Sequence, residues 1–302
     1  MDLIYEANQL RRQWAENDAK RDASIPMPHH IKVCADIPYT TSQSEKETIW
    51  HLMDLYYPMQ PSESPLPVIV NVHGGGWFYG DKLLYSRYTK FLAEQGFAVV
   101  NFNYRLAPEF PYPCGFLDLC RLMDFIVNHA QQYHLDSSRL FMIGDSAGAQ
   151  FVSQYAILAA NPEYKALFSE TKTLSTPIPA KVVLNCGIYE FKPNQKDLVY
   201  EFYLPKDMTE LQKQSAFHIL DYMNEFFPPA FLMVSVNDAL LHHSDIMKEK
   251  LCQLHIPHLY REYGHDDPSD GHVFHINFLR AEAQRCNQEE LAFLRGDLSV
   301  DM

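Results

Sequence analysis

The chain has 302 residues, 47% hydrophobic and 21% charged, which are proportions of a folded globular protein and exclude disordered and fibrous classes. Its formal net charge is −13, from 25 Lys and Arg against 38 Asp and Glu, so nucleic acids and anionic membranes would be repelled. The length is compatible with one α/β domain over residues 1–302, and the expected partner is a small molecule.

The N-terminal residues mix charged and apolar side chains, unlike a signal peptide, and no other segment is apolar for long enough to span a membrane. The six cysteines are scattered without paired spacing, which favours free thiols in a reducing compartment. The sequence therefore predicts a cytoplasmic protein, and it leaves a homo-oligomer open.

Short runs rich in β-branched and aromatic residues predict about eight strands. The first two, within residues 29–40 and 46–58, are joined by a polar turn and predict an antiparallel edge. The others are nearly continuous apolar runs that alternate with helical stretches, which is typical of parallel strands covered by helices on both faces. These runs cover residues 66–72, 97–104, 139–144, 180–189, 230–236 and 258–264.

Two helix-prone segments, at about 1–30 and 191–225, do not fit this alternation of strands and helices. Segments at the carboxyl ends of parallel strands lie over the crevice where such sheets bind ligands. We therefore predict that both segments form a small helical cap. The alternative is surface decoration away from any site.

The segment "GDSAG" (Gly144 to Gly148) follows a predicted strand directly and opens a helical stretch. Small residues on both sides of Ser146 allow a strained turn that lifts its side chain out of the sheet at the positive end of a helix. A nucleophile and a developing anion are both stabilised at such a position. Ser146 is therefore predicted to be a catalytic nucleophile.

Serine becomes a good nucleophile only when a base accepts its proton, and that base needs an acid to orient it. Asp238 follows the predicted strand 230–236, so its carboxylate is expected to point into the crevice. Its alternative role is to cap the following helix, and Asp245 is a weaker candidate for the acid.

Three histidines follow the last predicted strand: His265, His272 and His275. His272 opens a predicted helix, which spans residues 272–294, at the end of a loop. An imidazole placed there can reach across to the nucleophile. His272 is therefore predicted to be the base, with His265 as the main alternative.

The segment "HGGGW" begins directly after another predicted strand. Attack on an acyl carbonyl places negative charge on its oxygen, and each preorganised N–H donor stabilises that charge by about 3 to 4 kcal/mol. Glycine lets the main chain approach closely because no side chain intervenes. The N–H groups of Gly74, Gly75 and Ala147 are predicted to form an oxyanion hole, with Gly76 as a further donor to consider.

Two neighbouring residues are predicted to contact the substrate. Trp77 directly follows Gly74 to Gly76, which we call the glycine loop, and Asp145 precedes the predicted nucleophile. Most other aromatic residues of the cap segments are expected to serve packing alone.

The motifs together resemble a known family. "HGGGW", "YRLAPEFPYP" (residues 104–113), "GDSAG", an Asp at a strand end and a His-x-Phe near the C-terminus occur in the order typical of the hormone-sensitive-lipase-like group of α/β-hydrolase esterases. The resemblance spans residues 73 to about 275, and Ala149, His242 and His243 depart from it. It implies an α/β-hydrolase fold, an N-terminal cap, no metal or cofactor, and hydrolysis of carboxylic esters with short acyl chains. It also implies the triad Ser146, Asp238 and His272 and the oxyanion hole Gly74, Gly75 and Ala147.

Two clusters could suggest a metal, but neither favours one. "CQLHIPH" spans a predicted helix end and strand start with a proline between, so its donors are not expected to converge. The acidic residues of loop 266–270 are more typical of a solvated loop that shapes the approach to His272.

Two other functions stay open at this stage. An arylformamidase-like amidase would use a similar glycine loop and triad. A non-catalytic ligand-binding protein of the same fold, like the gibberellin receptors, would lack the catalytic histidine, whereas His272 is present here.

Overall fold

The computed structural model describes residues 2–42, 44–60, 62–191 and 197–300. Eight strands, numbered in chain order, form one sheet. They are β1 (Ile31–Pro38), β2 (Leu52–Pro58), β3 (Leu66–Val72), β4 (Ala98–Phe102), β5 (Leu135–Asp145), β6 (Lys181–Asn185), β7 (Ala230–Ser235) and β8 (His258–Tyr263).

The strand order is β1-β2-β4-β3-β5-β6-β7-β8. In this spatial order, all neighbouring strands from β4 through β3 to β8 are parallel, whereas β2 is antiparallel to both β1 and β4. The predicted mostly parallel eight-stranded sheet with an antiparallel edge is therefore confirmed. Its parallel strands all end at the same edge, which is where the predicted site residues are found.

Within the described ranges, ten α-helices connect and flank these strands. In the described part of the chain, none is long and apolar enough to cross a membrane. The helices are α1 (Leu3–Asp22), α2 (Glu45–Thr48), α3 (Ser86–Glu94), α4 (Cys114–Asn128), α5 (Ala147–Ala160), α6 (Pro162–Ala166), α7 (Leu198–Tyr203), α8 (Glu210–Phe217), α9 (Leu241–Gln253) and α10 (Ala281–Arg295).

Side chains alternate along the central strands, so the sheet has a hydrophobic core on each face. On β3, Val68, Val70 and Val72 face one core, which includes residues of α4 and α5. Ile69 faces the other core, which includes residues of α3 and α10. Helices on both faces explain why these strands are apolar without interruption.

The first cap segment forms helix α1, which contacts α7 from the second. Asp2 caps α1 through hydrogen bonds from the Ile4 and Tyr5 amides. Arg11 fastens α1 to the body by donating to the Phe78 and Ala107 carbonyls and to the Glu109 carboxylate. Residues 192–196 of the predicted cap segment 191–225 lie outside the described residues.

The boundaries predicted for the start of the second strand and of the last helix are wrong. Residues 45–51 form α2 and a short 3-10 helix, so β2 begins only at Leu52. The helix predicted from His272 begins instead at Ala281. Val273 has φ 52°, a left-handed conformation that an α-helix cannot include, so the chain turns at this point before α10 starts.

Glu290 of α10 is fully buried, and burial raises its pKa to about 7, although hydrogen bonds from Cys286 and Tyr88 act to lower it. Between pH 4.5 and 7 the folded state therefore keeps a proton that the unfolded state loses, so stability falls as pH rises. Between pH 4.5 and pH 8, we expect the free energy of unfolding of Glu290→Gln to fall by about 2 to 3 kcal/mol less than that of the wild type. Urea unfolding over this pH range measures the difference.

Glu249 on the exposed side of α9 provides the matched control. Glu249→Gln should show the pH dependence of the wild type. Equal pH dependence in wild type and Glu290→Gln would show that Glu290 is not protonated in the folded state.

Candidate active site

Ser146 lies at the sharp turn between β5 and α5. Its backbone has φ 54° and ψ −119°, a conformation that non-glycine residues rarely adopt. The Ser146 N–H donates to the Asn185 carbonyl of the adjacent strand at 2.8 Å, which helps to hold the turn. As predicted from the motif, the side chain lies at the N-terminus of a helix that begins at the next residue.

The flanking glycines allow this turn because the chain segments come very close together. A Cβ on Gly148 would lie 1.9 Å from the Val72 carbonyl oxygen, and a Cβ on Gly144 would lie 2.5 Å from the Gly148 backbone. Helix α5 therefore packs directly against the end of β3. This approach sets the position of Ser146 relative to the glycine loop.

Asp238 and His272 form a hydrogen-bonded pair, with His272 Nδ1 at 2.7 Å from Asp238 Oδ2. Burial acts to raise the pKa of Asp238, but the hydrogen bond and charge interaction with His272 hold that pKa below its ordinary range. The second carboxylate oxygen accepts the Leu240 N–H at 2.8 Å. An ionised Asp238 is thus fixed in the orientation that keeps Nδ1 of His272 protonated.

The other candidates for base and acid are placed differently. His265 is exposed, and His275 is completely buried, with neither ring nitrogen bonded to a described residue. Asp245 accepts a hydrogen bond from Tyr260 on the neighbouring strand. The structure therefore brings His272, and neither of the other two histidines, to Asp238.

Ser146 and His272 line the same cavity, which has a volume of about 420 Å³. The glycine loop forms one part of its wall, and α1 and α7 cover another. Its lining is Trp14, Asn17, Asp18, Arg21, Gly74, Gly75, Gly76, Trp77, Tyr79, Leu84, Tyr85, Asp145, Ser146, Ile188, Asp197, Val199, Tyr200, Leu240, His272 and Val273.

Gly74, the first residue of the glycine loop, does not have the role that we predicted for it. Gly74 N–H donates to the Tyr85 hydroxyl at 3.0 Å, so the prediction of Gly74 as an oxyanion donor is wrong for this geometry. Gly75 and Gly76 have φ 109° and 57°, and a Cβ on Gly75 would lie 2.0 Å from the Tyr79 carbonyl oxygen. The turn thus requires glycine at positions 75 and 76 and brings both residues to the cavity wall.

His73 supports the loop from within the core. Because a carbonyl oxygen can only accept, His73 Nδ1 donates to the Gly74 carbonyl at 2.7 Å. The ring stacks on Tyr104 at 4.1 Å, and the Tyr104 hydroxyl donates to the His73 carbonyl. Burial lowers the pKa of His73 to about 4, so the ring is neutral near pH 7.

Trp77 and Asp145, the two predicted substrate contacts, are both buried. Trp77 is only 1% exposed; it stacks on Tyr203 at 4.5 Å and donates to Gln150, so its indole packs in the core beneath the cap. Asp145 is 3% exposed and accepts a hydrogen bond from Tyr85 at 2.7 Å. Both residues still line the cavity, so their predicted contact with a substrate stays a prediction.

Several residues of the cavity wall are not singled out by any motif. Trp14 and Arg21 belong to α1, which was predicted only as part of a cap, while Ile188, Leu240 and Val273 follow strand ends. Tyr85 was missed because, in the sequence, it reads as one aromatic residue of an amphipathic helix. The extension of strand-end loops over a parallel sheet is the only general rule that points to such positions.

Potential metal ligands occur in the acidic loop and at the cavity. Arg280 binds the carboxylates of Asp267 and Asp270, so this loop is held by an internal cation. Cys186, Asp238 and His272 place donor atoms within 4.8 Å of one another. The bond between Asp238 and His272 already occupies two of these three donors.

Gly148→Ala tests the close approach between α5 and β3. We expect the added methyl group to lower the free energy of unfolding by about 3 kcal/mol, because it collides with backbone atoms that cannot move independently. Ala149→Gly on the same helix is the control, with an expected loss of about 1 kcal/mol from helix propensity. Equal losses in chemical denaturation would contradict the packing described for Gly148.

Comparisons with known proteins agree with this architecture. Residues 53–251 match the BD-FAE family. A putative alpha/beta hydrolase of Acanthamoeba polyphaga mimivirus is 24% identical over 64% of this chain and 57% of its own length. Probable carboxylesterase 6 of Arabidopsis thaliana is 34% identical over 52% of this chain and 47% of its own length. The chain thus spans about half the length of these curated relatives.

Among solved structures, esterase B from Lactobacillus rhamnosis has a TM-score of 0.85 at 22% identity, covering 97% of this chain and 94% of that one. A structure of the same esterase inhibited by a tributyrin phosphonate has a TM-score of 0.82 at 24% identity, covering the same shares. These likenesses establish the fold that the sequence motifs imply. The chain belongs to the BD-FAE family and has the α/β-hydrolase fold.

Proposed function

We propose that the protein is a serine carboxylesterase that acts through an acyl-enzyme intermediate. The observation that carries this proposal is the arrangement of one cavity: Ser146 on its strained turn and His272 on Asp238, with the glycine loop beside them. The carboxylesterase among the relatives and the esterases among the solved structures support it.

In the proposed mechanism, Ser146 Oγ attacks the ester carbonyl carbon and His272 Nε2 accepts the hydroxyl proton. Asp238 accepts a hydrogen bond from Nδ1 of His272, which leaves Nε2 as the basic nitrogen. The carboxylate also stabilises the imidazolium that forms. His272 then protonates the leaving alkoxide, and the C–O bond of the ester breaks. Water repeats the two steps on the acyl-enzyme and releases the acid.

The proposed oxyanion hole is formed by the N–H groups of Gly75, Gly76 and Ala147. Gly75 and Gly76 line the cavity, and Ala147 is the first residue of α5, so its N–H has no partner inside that helix. These donors are fixed before the reaction, so they stabilise the developing charge without reorganisation.

The proposed substrates are esters with short acyl chains. The apolar part of the wall includes Ile188, Val199 and Leu240, and a cavity of about 420 Å³ lies at the lower end of the range for small-molecule sites. The tributyrin phosphonate in the related esterase carries acyl chains of this kind.

We further propose that residues 1–302 form one domain with a cap and that the enzyme works in the cytoplasm. The six cysteines are all free, including the exposed Cys34 and Cys252, which supports a reducing compartment.

The first test measures hydrolysis of p-nitrophenyl esters from acetate to decanoate. We expect turnover to be fastest with short chains, and Ser146→Ala and His272→Ala to reduce kcat/KM about 10⁴-fold or more, because each removes a member of the triad. His265→Ala is the matched control and should retain wild-type kcat/KM. If His265→Ala is the inactive variant, the assigned base is wrong.

A second comparison separates esterase from amidase activity. Phenyl formate and formanilide differ only in the atom that leaves, so their kcat/KM ratio reports the preferred bond. Faster hydrolysis of formanilide would favour an arylformamidase-like enzyme. A wild-type protein that binds esters but hydrolyses neither compound would favour a non-catalytic ligand-binding role.

A further inference from the structure

The glycine loop is connected to the turn of the nucleophile through one tyrosine. Tyr85 precedes α3, and its hydroxyl accepts the Gly74 N–H at 3.0 Å. The same hydroxyl donates to Asp145 Oδ2 at 2.7 Å. Since Asp145 is the residue before Ser146, this chain of two hydrogen bonds joins the loop to the end of β5.

A residue larger than glycine has no space at position 74. A Cβ on Gly74 would lie 2.4 Å from Asp145 Oδ2 and 3.1 Å from the Tyr85 hydroxyl oxygen. The first glycine of the loop therefore makes room for the Tyr85–Asp145 pair. This explains why glycine stands at a position whose N–H points away from the proposed oxyanion.

The hydroxyl of Tyr85 is a stable donor in this surrounding. Tyr85 and Asp145 are 5% and 3% exposed, so water competes little for their hydrogen bond. Burial, and then the charge of Asp145, raise the pKa of Tyr85 well above its ordinary value. Burial also raises the pKa of Asp145 to about 6, which leaves this carboxyl mostly ionised at pH 7.

The two hydrogen bonds of the His73–Gly74 peptide fix its plane from both ends. Tyr85 binds its N–H, and Tyr104 donates to its carbonyl oxygen. The following peptide is fixed by His73, which donates to the Gly74 carbonyl. Because N–H and C=O point in opposite directions within a trans peptide, this also sets the direction of the Gly75 N–H.

We propose that Tyr85 and Asp145 are positioning residues, which hold the glycine loop so that its next N–H groups face the reacting carbonyl oxygen. This inference rests on the proposed esterase function. It assigns to Asp145, which also lines the cavity, a role in the geometry of the transition state beyond the predicted contact with substrate. Loss of the Tyr85 hydroxyl should therefore reduce kcat and affect KM little.

Tyr85→Phe and Tyr88→Phe form a matched pair. Both side chains are buried in the α3 region, but the Tyr88 hydroxyl donates to Glu290 of α10 and not to Asp145. We expect Tyr85→Phe to lower kcat for p-nitrophenyl butyrate between about 10-fold and 100-fold, with KM within about twofold of wild type. An alkyl trifluoromethyl ketone, which forms a tetrahedral oxyanion adduct with the serine, should lose affinity by the same factor. Tyr88→Phe should change neither kcat nor this affinity.

Asp145 gives a second, independent measurement. Asp145→Asn keeps an oxygen that can accept from Tyr85 and is expected to retain most of the activity, whereas Asp145→Ala should lose about as much as Tyr85→Phe. The double variant Tyr85→Phe/Asp145→Ala should be no worse than the poorer single variant, since both act through the same connection.

The outcomes separate this inference from the proposed function. Wild-type kcat and inhibitor affinity in Tyr85→Phe, equal losses in both Phe variants, or additive losses in the double variant would overturn the positioning role alone. A wild-type protein that hydrolyses no ester would overturn the proposed function and this inference together. Thermal unfolding of each variant identifies any loss that comes from misfolding.

Discussion

The whole site depends on the close approach of α5 to the end of β3. Gly148 allows it, since any side chain there would meet the Val72 carbonyl oxygen. The approach fixes the left-handed backbone of Ser146, and the glycine loop that continues from β3 is thereby placed beside the same turn. His272 reaches this point from another part of the chain, held by the carboxylate of Asp238. The contact between α5 and β3 thus places the nucleophile beside the glycine loop, where the base can reach it.

Much of this arrangement could be predicted from the sequence because it follows from local chemistry and from sheet topology. Near-continuous apolar runs indicate buried parallel strands, and residues just after such strands must meet at one edge of the sheet. Ser146, Asp238 and the glycine loop all follow strands directly, so their placement was predictable. His272 was predicted from the reach that its loop position offers, although the expected helix at that point was wrong.

The remaining features depend on contacts between distant segments, which a sequence pattern does not contain. Gly74 and Tyr85 are 11 residues apart, and nothing in their spacing indicates a hydrogen bond between them. Trp77 adjoins the loop and lines the cavity, but nothing in the sequence indicates that its ring stacks on Tyr203 of α7. In both cases the outcome was decided by where a separate helix packs.

Helix α1 lies outside the sheet and its flanking helices, yet Trp14, Asn17 and Arg21 form part of the cavity wall. Arg11, on another turn of the helix, binds the Phe78 and Ala107 carbonyls. Trp14 and Asp18 combine both tasks, because they line the cavity while Trp14 packs on Phe78 and Tyr79 and Asp18 accepts a hydrogen bond from Tyr79. Substitutions at the exposed Asn17 can therefore alter the cavity wall over evolution at little cost in stability, whereas changes at Trp14 or Asp18 also loosen the helix.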